Sequence, residues 1–245
     1  MTILSININK IALLRNSRGR NYPDVRAFAE RCLDLGAGGI TLHPRPDQRH
    51  ARYSDVTELG ALCESRGVEL NVEGYPTPEF LDVVKANRPA QCTLVPDAPD
   101  QVTSDHGWDL QKDGDFLRPI LAELKALGIR TSLFIDYDTQ DMALAKALGA
   151  DRVELYTEPY AEHFATPQGE AIFAGFIAAA QRAQDAGLEV NAGHDLNLQN
   201  LAKFLTIPNI VEVSIGHAVI VECLESGITD VLRQYVEICR PKISN

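Results

Sequence analysis

The chain has 245 residues, 45% hydrophobic and 23% charged, and its 23 Lys and Arg against 34 Asp and Glu give a net charge of −11. This ordinary globular composition excludes disorder, collagen and coiled coil as descriptions of the whole chain. The negative charge argues against nucleic acid or an anionic membrane surface as a partner, and the longest apolar run, residues 171–180, is half of the roughly 20 residues that a membrane span needs.

Short runs rich in Ile, Val and Leu alternate with amphipathic stretches along the chain, as in a parallel sheet that is buried on both faces. The predicted strands are 3–8, 39–43, 68–73, 91–95, 130–136, 152–156, 188–192 and 210–215. The predicted helices are 23–36, 54–66, 77–87, 115–127, 138–148, 168–186, 197–205 and 217–239. This alternation predicts an α/β protein, a (β/α)8 TIM barrel that forms one domain over residues 1–245.

An open, doubly wound sheet is the alternative fold. Such a sheet usually has a glycine-rich phosphate turn after its first strand, and the segment that follows residues 6–9 has none.

Glycines mark the ends of several predicted helices, each just ahead of a strand: Gly36, Gly67, Gly128, Gly149 and Gly187. Glycine adopts the left-handed conformation that ends a helix at little steric cost. Helix starts are predicted at Thr77-Pro78-Glu79 and at Asp138, because Thr and Asp cap helix N-termini well.

Two connections are unusual. Residues 95–115 read as a polar, proline-containing loop far longer than the usual few residues. We interpret this loop as a functional lid and expect that its residues 96–112 close when substrate binds. Residues 10–23 read as a Gly/Ser/Asn-containing connection that concentrates positive charge at Arg15, Arg18 and Arg20 in an acidic protein.

The N-terminus and the cysteines indicate a cytoplasmic protein. Residues 1–10 lack a basic segment ahead of a long apolar stretch, so we expect no signal peptide. The five cysteines include no C-x-x-C pair, and an odd number makes a poor disulfide framework. Reduced cysteines are therefore expected.

Polar side chains gather at the carboxyl ends of the predicted strands, where barrels of this type carry their active sites. They are Asn7, Asn9, Lys10, His43, Arg45, His50, Glu73, Asp136, Glu154, Asn191, His194, Gly216 and His217, counting the residues directly after each strand. Any one of them is readily structural, but gathering many ionisable groups costs several kcal/mol unless they pair or bind something. Glu69 and Glu189 lie at strand beginnings and should face the opposite rim. Asp136 suits a loop-holding role as well as a catalytic one.

This set of residues indicates acid–base chemistry on an anionic substrate. Histidines transfer protons near neutral pH, and the glutamates serve as bases if desolvation raises their pKa values. Arg18 and Arg45 can each hold a phosphate with two hydrogen bonds. The segment 214–218 leads directly into a helix, and its backbone N–H groups can bind phosphate oxygens.

A zinc or iron site is the main rival that the same histidines and glutamates allow. The first strand has no H-x-H pair, no H-E-x-x-H occurs in the chain, and Lys10 would repel a cation. A nucleophilic triad has less support, because there is no G-x-S-x-G elbow and no Cys beside a His.

Eight segments resemble the pyridoxine 5′-phosphate synthase family of deoxyxylulose-dependent vitamin B6 biosynthesis. They are SININKIALLRNSRG (5–19), GGITLHPRPDQRH (38–50), LNVE (70–73), LVPD with the following QVTS (94–104), SLFID (132–136), VELYT (153–157), VNAGHDLN (190–197) and SIGHAVI (214–220). The resemblance runs nearly from end to end of the chain.

The resemblance implies a barrel enzyme with extra helices that condenses 3-amino-2-oxopropyl phosphate with 1-deoxy-D-xylulose 5-phosphate. The products are pyridoxine 5′-phosphate, inorganic phosphate and water. It also implies that no metal and no organic cofactor take part, and that the chain assembles into an octamer built from dimers.

The resemblance further implies roles for particular residues. His43 and Glu73 correspond to acid–base residues, Glu154 to a residue that stabilises charge during ring formation, and His194 to a proton donor. The residues implied to contact substrate are Asn7, Arg18, Arg45, His50, Thr103, Gly216 and His217.

Two positions depart from the family pattern. Many members read Asn-Ile-Asp-His at the end of the first strand, where this chain has Asn7-Ile8-Asn9-Lys10, and many have Gly where this chain has Asp195. We expect Asn9, Lys10 and Asp195 to contact substrate nevertheless, Lys10 by its charge and Asp195 through its backbone N–H.

Two other functions stay open. Another phosphosugar barrel, such as an aldolase or epimerase, would consume deoxyxylulose phosphate without an amine substrate. A barrel that only binds a phosphorylated metabolite would show binding without product.

Overall fold

Eight parallel strands close into a barrel in the computed structural model of the chain, each paired with the next and the last with the first. The structure describes residues 1–97, 101 and 103–240. The strands are β1 (Ile3–Asn7), β2 (Gly39–Leu42), β3 (Glu69–Gly74), β4 (Gln91–Leu94), β5 (Arg130–Ile135), β6 (Arg152–Leu155), β7 (Glu189–His194) and β8 (Ile210–Ile215). The predicted TIM barrel is confirmed, and the open sheet is wrong, because Ile3–Ile6 of β1 pair with β8.

Helices cover the outside of this barrel. The described residues form α1 (Asn9–Asn16), α2 (Val25–Asp34), α3 (Tyr53–Arg66), α4 (Pro78–Asn87), α5 (Leu110–Ala126), α6 (Met142–Leu148), α7 (Glu158–His163), α8 (Gly169–Asp185), α9 (Leu201–Phe204), α10 (His217–Ser226) and α11 (Ile228–Cys239). Within the described ranges, none of these helices combines the length and apolar character that a membrane crossing requires. The five cysteines are free thiols.

Most helix ends lie where local chemistry predicts them. The glycines named above all have positive φ, with values of 104° at Gly36, 64° at Gly67, 76° at Gly128, 114° at Gly149 and 76° at Gly187. The hydroxyl of Thr77 accepts the Phe80 N–H at 3.2 Å and caps α4. These local signals succeed because a cap depends on a few neighbouring residues.

Several predicted boundaries are wrong. The connection at residues 10–23 begins with helix α1, α7 was not predicted, and the helix predicted over 217–239 breaks into α10 and α11 at Gly227, whose φ is 83°. Helix α5 begins at Leu110 rather than 115, since Asp109 caps it. Helix α6 begins at Met142, since its capping residue is Asp141 rather than Asp138.

The inside of the barrel is polar, which is unusual for a fold whose interior is mostly filled by branched apolar residues. Apolar strand residues such as Ile6, Ile40 and Leu133 are fully buried, and the alternation of side chains along a strand puts them on the helix side. The alternate positions carry buried polar residues: Ser5, Thr41, Asn71, Thr93, Ser132, Glu154, Asn191 and Ser214. Some pair across strands, as Ser5 does with Thr41 at 2.7 Å.

An ion-pair network closes the amino-terminal end of the barrel. Arg152 donates to Glu189 at 2.7 Å and to Glu212 at 3.1 Å, and Arg130 donates to Glu69 at 3.1 Å. Glu69 and Glu189 therefore lie on the rim opposite the strand ends, as predicted, and each has an arginine partner.

We expect Arg152→Met to lower the free energy of unfolding by about 3–5 kcal/mol at pH 8, because it leaves the buried Glu212 carboxylate without its cation. Burial already raises the pKa of Glu212 to about 7. At pH 5 the carboxyl is protonated in the folded state, so the loss should shrink. Urea unfolding at both pH values measures it.

Arg130→Met is the matched control. Its partner Glu69 is 40% exposed in its side chain, whereas that of Glu212 is 4% exposed, so solvent screens the charge that remains. Equal losses for the two variants, or a loss for Arg152→Met that does not depend on pH, would contradict the prediction.

Candidate active site

A cavity of about 470 Å³ opens at the carboxyl ends of the strands. Every residue predicted to act on or bind substrate lines it, with the exception of Arg18: Asn7, Asn9, Lys10, His43, Arg45, His50, Glu73, Thr103, Glu154, His194, Asp195, Gly216 and His217. The structure thus brings together residues from seven of the eight strands or the loops after them. Lining the cavity does not by itself assign a catalytic role, so the roles of these residues stay predictions.

Arg18 lies outside this lining. It is exposed in the turn that follows α1, so it reaches the cavity only if its segment moves or if a second copy of the chain supplies it. The neighbouring Arg15 is buried and donates to both carboxylate oxygens of Asp55, at 2.6 and 2.9 Å. The positive charge predicted for residues 10–23 is therefore partly neutralised in an ion pair.

Some lining residues were not predicted: Val95, Ser104, Asp105, Phe134, Tyr156, Glu158 and Ser214. The alternation of side chains along strands could have found several, because Tyr156 lies two residues after Glu154 and Phe134 two residues after Ser132. Val95, Phe134 and Tyr156 form a small apolar cluster of their own. This cluster gives the polar cavity one apolar wall.

Two asparagines connect the end of β1 to the neighbouring strands. Asn7 donates to Glu73 at 3.3 Å, and its side-chain oxygen accepts the N–H of Asn9 at 3.0 Å. Asn9 in turn accepts the backbone N–H of His43 at 2.9 Å. The side chain of Asn9 thus holds the backbone that carries His43, a structural role beside its predicted substrate contact.

The two cavity glutamates are buried acids with raised pKa values. Burial, followed by the charges of Glu212 and Asp97, raises the pKa of Glu73 to about 8. Burial, followed by the charges of Glu73 and Glu212, raises the pKa of Glu154 well above its ordinary value. The desolvation expected for these glutamates is therefore present, and Glu73 can both take up and release a proton near neutral pH.

Glu154 lies against the end of β7. A Cβ at Gly193 would stand 2.7 Å from the Glu154 carboxylate and 2.7 Å from the Ser214 carbonyl oxygen, closer than side chains pack. Any larger residue at this position would therefore collide with the Glu154 carboxylate. The second carboxylate oxygen of Glu154 is buried without a hydrogen-bond partner among the described residues.

His43 is the most desolvated of the cavity histidines. Burial, and then the charges of Arg45, His50 and Arg49, lower its pKa well below the ordinary value. Its ring is neutral at pH 7 and has an acceptor nitrogen available. A ring with so low a pKa is a weak base, which holds a proton only transiently and passes it on readily.

Positive charge and N–H donors also line the cavity. Burial, and then the charge of Lys10, lower the pKa of His50 to about 4, so its neutral ring serves as a hydrogen-bond partner. Gly216 precedes the first turn of α10 and its Cβ would stand 3.1 Å from Asn7. Backbone N–H groups at the start of a ten-residue helix favour an anion.

The described residues after β4 include Thr103, Ser104 and Asp105, which line the cavity, and they are held at several points. Asp97, which is buried, forms an ion pair with Arg45 and accepts the Ser104 hydroxyl at 2.8 Å. Arg45 also donates to the Gln101 carbonyl at 2.9 Å. Asp97 was not predicted as a site residue, because nothing in a single sequence shows which cation it contacts.

The far end of the same segment is anchored to β4 and β5. The Trp108 indole donates to the Leu94 carbonyl at 2.8 Å, and its backbone N–H donates to the Phe134 carbonyl at 2.9 Å. Asp136 accepts the Gly107 N–H and does not line the cavity, so its loop-holding role is the one that the structure supports. Residues 98–100 and 102 of the predicted lid, which spans 96–112, lie outside the described residues. Closure of the lid stays a prediction.

His194 and Asp195 form a close pair at the end of β7. Nδ1 of His194 lies 2.7 Å from Oδ2 of Asp195, and Nε2 lies 3.1 Å from the Thr103 hydroxyl. Within residues 1–97, 101 and 103–240, no group of three or more His, Cys, Asp or Glu side chains is arranged to hold a metal ion. The arrangement observed can move protons and bind anions.

Comparisons with known proteins show the family of the chain. Residues 4–241 match the family model described as "Pyridoxal phosphate biosynthesis protein PdxJ". The chain is 52% identical over 249 residues to a pyridoxine 5′-phosphate synthase of Xanthomonas oryzae, covering 98% of each chain. It is 50% identical over 245 residues to one of Xylella fastidiosa, covering 97% of this chain and 94% of that one.

Among solved structures, tryptophan synthase from M. tuberculosis superposes with a TM-score of 0.66 at 11% identity, covering 98% of this chain and 93% of that one. At such low identity the likeness concerns the barrel fold alone.

Proposed function

The chain belongs to the family of pyridoxal phosphate biosynthesis protein PdxJ and is an enzyme that makes pyridoxine 5′-phosphate, and we propose that it does so in the polar cavity at the strand ends. The substrates are small and phosphorylated: 3-amino-2-oxopropyl phosphate and 1-deoxy-D-xylulose 5-phosphate. The observation that carries the proposal is that four acid–base side chains line one cavity: His43, Glu73, Glu154 and His194.

Glu73 and His43 carry out the proton transfers of the condensation. The substrate ammonium must lose a proton before its nitrogen can attack the ketone, and the resulting carbinolamine must gain a proton to lose water as the imine forms. His43 is neutral at pH 7 and can take the first proton. Glu73, with a pKa of about 8, is largely protonated and can supply the second.

Glu154 and His194 act in the later steps, which release phosphate and close the ring. Glu154 lies deep among the inward-facing residues of the barrel. Positive charge that develops in the ring lowers the raised pKa of this carboxyl again, and the carboxylate that forms stabilises that charge. His194 lies at the mouth and donates a proton to the leaving oxygen. Tyr156 packs edge-on against its ring at 5.3 Å between centroids and limits the directions in which Nε2 can point.

Two anion sites hold the two phosphates. Arg45, His50 and Thr103 form one, on the side of the cavity next to the segment after β4. Gly216, His217 and the first turn of α10 form the other, with Lys10 adding positive charge. The cavity volume of about 470 Å³ is within the range of small-molecule sites.

Turnover with both substrates tests the proposal. Purified, chelator-treated protein is mixed with the amine and the deoxyxylulose phosphate, and fluorescent pyridoxine 5′-phosphate is the expected product. Deoxyxylulose phosphate consumed without the amine would instead indicate an aldolase or epimerase. Calorimetric binding without product would indicate a barrel that only binds its ligand.

We expect the segment formed by residues 96–112 to close over the cavity only when substrate is bound. A closed segment excludes water from easily hydrolysed intermediates and resists proteases. Limited proteolysis should therefore nick this segment in the free protein, and both substrates together should protect it at least several-fold. Nicking at the same rate with and without substrates would count against closure.

We further propose a cytoplasmic homo-oligomer, an octamer built from dimers. Helices α1 and α10 pack together, and they expose the apolar side chains of Leu13, Leu14, Val221 and Leu224, the last 79% exposed. Exposed apolar side chains that lie on adjoining helices mark an interface. A second copy that buries this face accounts for them.

Leu224→Asp is expected to lower the assembled mass measured by light scattering, because a buried carboxylate at the interface is costly. Ile177→Asp on α8, where the side chain is 43% exposed, is the matched control and should leave the mass unchanged. If the wild-type chain is monomeric at micromolar concentration, the oligomer proposal fails.

A further inference from the structure

Asp195 follows the last residue of strand β7 directly. Strand β7 ends at His194, whose φ of 63° lies in the left-handed region that few residues other than glycine adopt. This backbone turn sets the carboxylate of Asp195 beside the His194 ring. Both side chains line the cavity.

The contacts of His194 define which nitrogen carries hydrogen. Nδ1 lies 2.7 Å from Oδ2 of Asp195, and an ionised carboxylate only accepts hydrogen bonds, so Nδ1 is the donor. In the neutral ring Nε2 is then the acceptor, and it faces the Thr103 hydroxyl at 3.1 Å on the cavity side. When Nε2 takes up a proton, the adjacent carboxylate stabilises the positive ring.

The groups around Asp195 keep it ionised. The hydrogen bond from His194 lowers its pKa most, and the charges of His217 and Lys10 lower it further, while burial opposes them. These groups come from the ends of β7, β8 and β1. Asp195 is therefore a carboxylate that stands at the mouth of a cavity for phosphorylated substrates.

A carboxylate in such a place repels the substrate phosphates unless a cation balances it. Lys10 lies close enough for its charge to act on Asp195 and lines the same cavity. Lys10 and Asp195 thus line one cavity although they lie 185 positions apart in the sequence. Together they add one negative and one positive charge to one place.

We propose that Asp195 is a positioning residue for His194, which it holds as the Nδ1–H tautomer with Nε2 aimed at the substrates, and that Lys10 supplies the balancing charge. The inference deepens the proposed function, because it rests on His194 as the proton donor. The sequence predicts that Asp195 contacts substrate through its backbone N–H; the proposed role is a side-chain contact with the imidazole ring of His194.

Asp195→Asn tests the positioning role. We expect kcat to fall about 10- to 100-fold, the usual loss when a group that orients a functional histidine is removed, with KM changed less than threefold. In ¹H–¹⁵N spectra of histidine-labelled free enzyme, the Nδ1–H proton of His194 should lose its downfield shift. A kcat within twofold of wild type, or an unchanged Nδ1–H resonance, overturns the proposal.

Two controls separate the possible failures. His106 forms a similar pair with Asp105 at 2.6 Å, with both side chains more than half exposed, so His106→Gln should remove only its own Nδ1–H resonance and leave that of His194 in place. His194→Gln should remove turnover. If His194→Gln keeps turnover, the proposed role of His194 fails; if it removes turnover while Asp195→Asn is as active as wild type, only the positioning role fails.

Lys10→Met tests the balancing charge. In wild type it should raise KM for the phosphorylated substrates about tenfold, and in the Asp195→Asn background by no more than about threefold, because the carboxylate that repels phosphate is gone. An equal rise in both backgrounds means that Lys10 acts on the substrates independently of Asp195, which overturns this part of the proposal.

Discussion

Glu73→Gln is expected to lower kcat by about 10²- to 10⁴-fold, the range that a positioned general acid–base group contributes. Gln has the shape of the protonated acid but can neither release nor take up a proton. Asn7 and Asn71 each donate to one carboxyl oxygen of Glu73, so the Gln oxygen can keep one of these bonds while its NH2 group faces the other donor. Because Gln has nearly the size of Glu, substrate affinity should change little. Steady-state kinetics with both substrates measures the loss, and a kcat near that of wild type rejects the acid–base role.

The same variant should become more stable than wild type as the pH rises. The pKa of Glu73 is about 8 in the folded protein against an ordinary value of 4.5. Between these values the unfolded chain has lost the proton and the folded chain retains it, so wild-type stability falls as pH increases. Gln is free of this effect, and the advantage of the variant should be near zero at pH 4.5 and largest above pH 8.

Urea unfolding at pH 5 and pH 8 checks this expectation. Glu64→Gln on α3 is the matched control, because Glu64 is exposed and its change should have the same small effect at both pH values. A Glu73→Gln variant that loses stability at pH 8 would show that the carboxyl is ionised and well paired in the fold.

Arg45→Met is expected to reduce kcat/KM by about 30- to 1,000-fold and to destabilise the fold. The guanidinium is the buried cation nearest the segment after β4, where it pairs with Asp97, and its loss removes a charged phosphate ligand worth about 2–4 kcal/mol. It also leaves the buried Asp97 carboxylate unpaired, which costs about 3–5 kcal/mol of folding stability.

The double variant Arg45→Met/Asp97→Asn separates the two effects. It should recover most of the stability, because no buried charge is left without a partner, and it should remain as inactive as the single variant. Arg45→Lys retains the charge but loses the planar pair of donors, so an intermediate kcat/KM is expected. If the double variant regains activity, Arg45 serves the fold rather than the substrate.

Much of the architecture could be read from local patterns. The strand positions follow from apolar periodicity. Gly36, Gly67 and Gly149 mark helix ends because the positive φ that ends a helix is a local property of the glycine itself. His43, Glu73, Glu154 and His194 could be assigned to one cavity because the carboxyl ends of parallel strands meet at one end of a barrel.

Other features depend on distances that no single sequence shows. The role of Asp97 requires the buried contact with Arg45, and the location of Arg18 outside the cavity follows from the path of the turn after α1. The break between α10 and α11 at Gly227 also escaped prediction, because the apolar pattern continues through it.

By itself, the amino-acid sequence determined the parallel barrel, the glycine caps and the set of polar residues at the strand ends, because these depend on residue type and spacing along the chain. Only the tertiary structure decided the protonation tendencies of His43 and Glu73, the contact between Asp195 and His194, and the presence of Lys10 in the same cavity. Those properties arise from burial and from charges that lie far apart in the sequence, and they take their values only when the barrel closes.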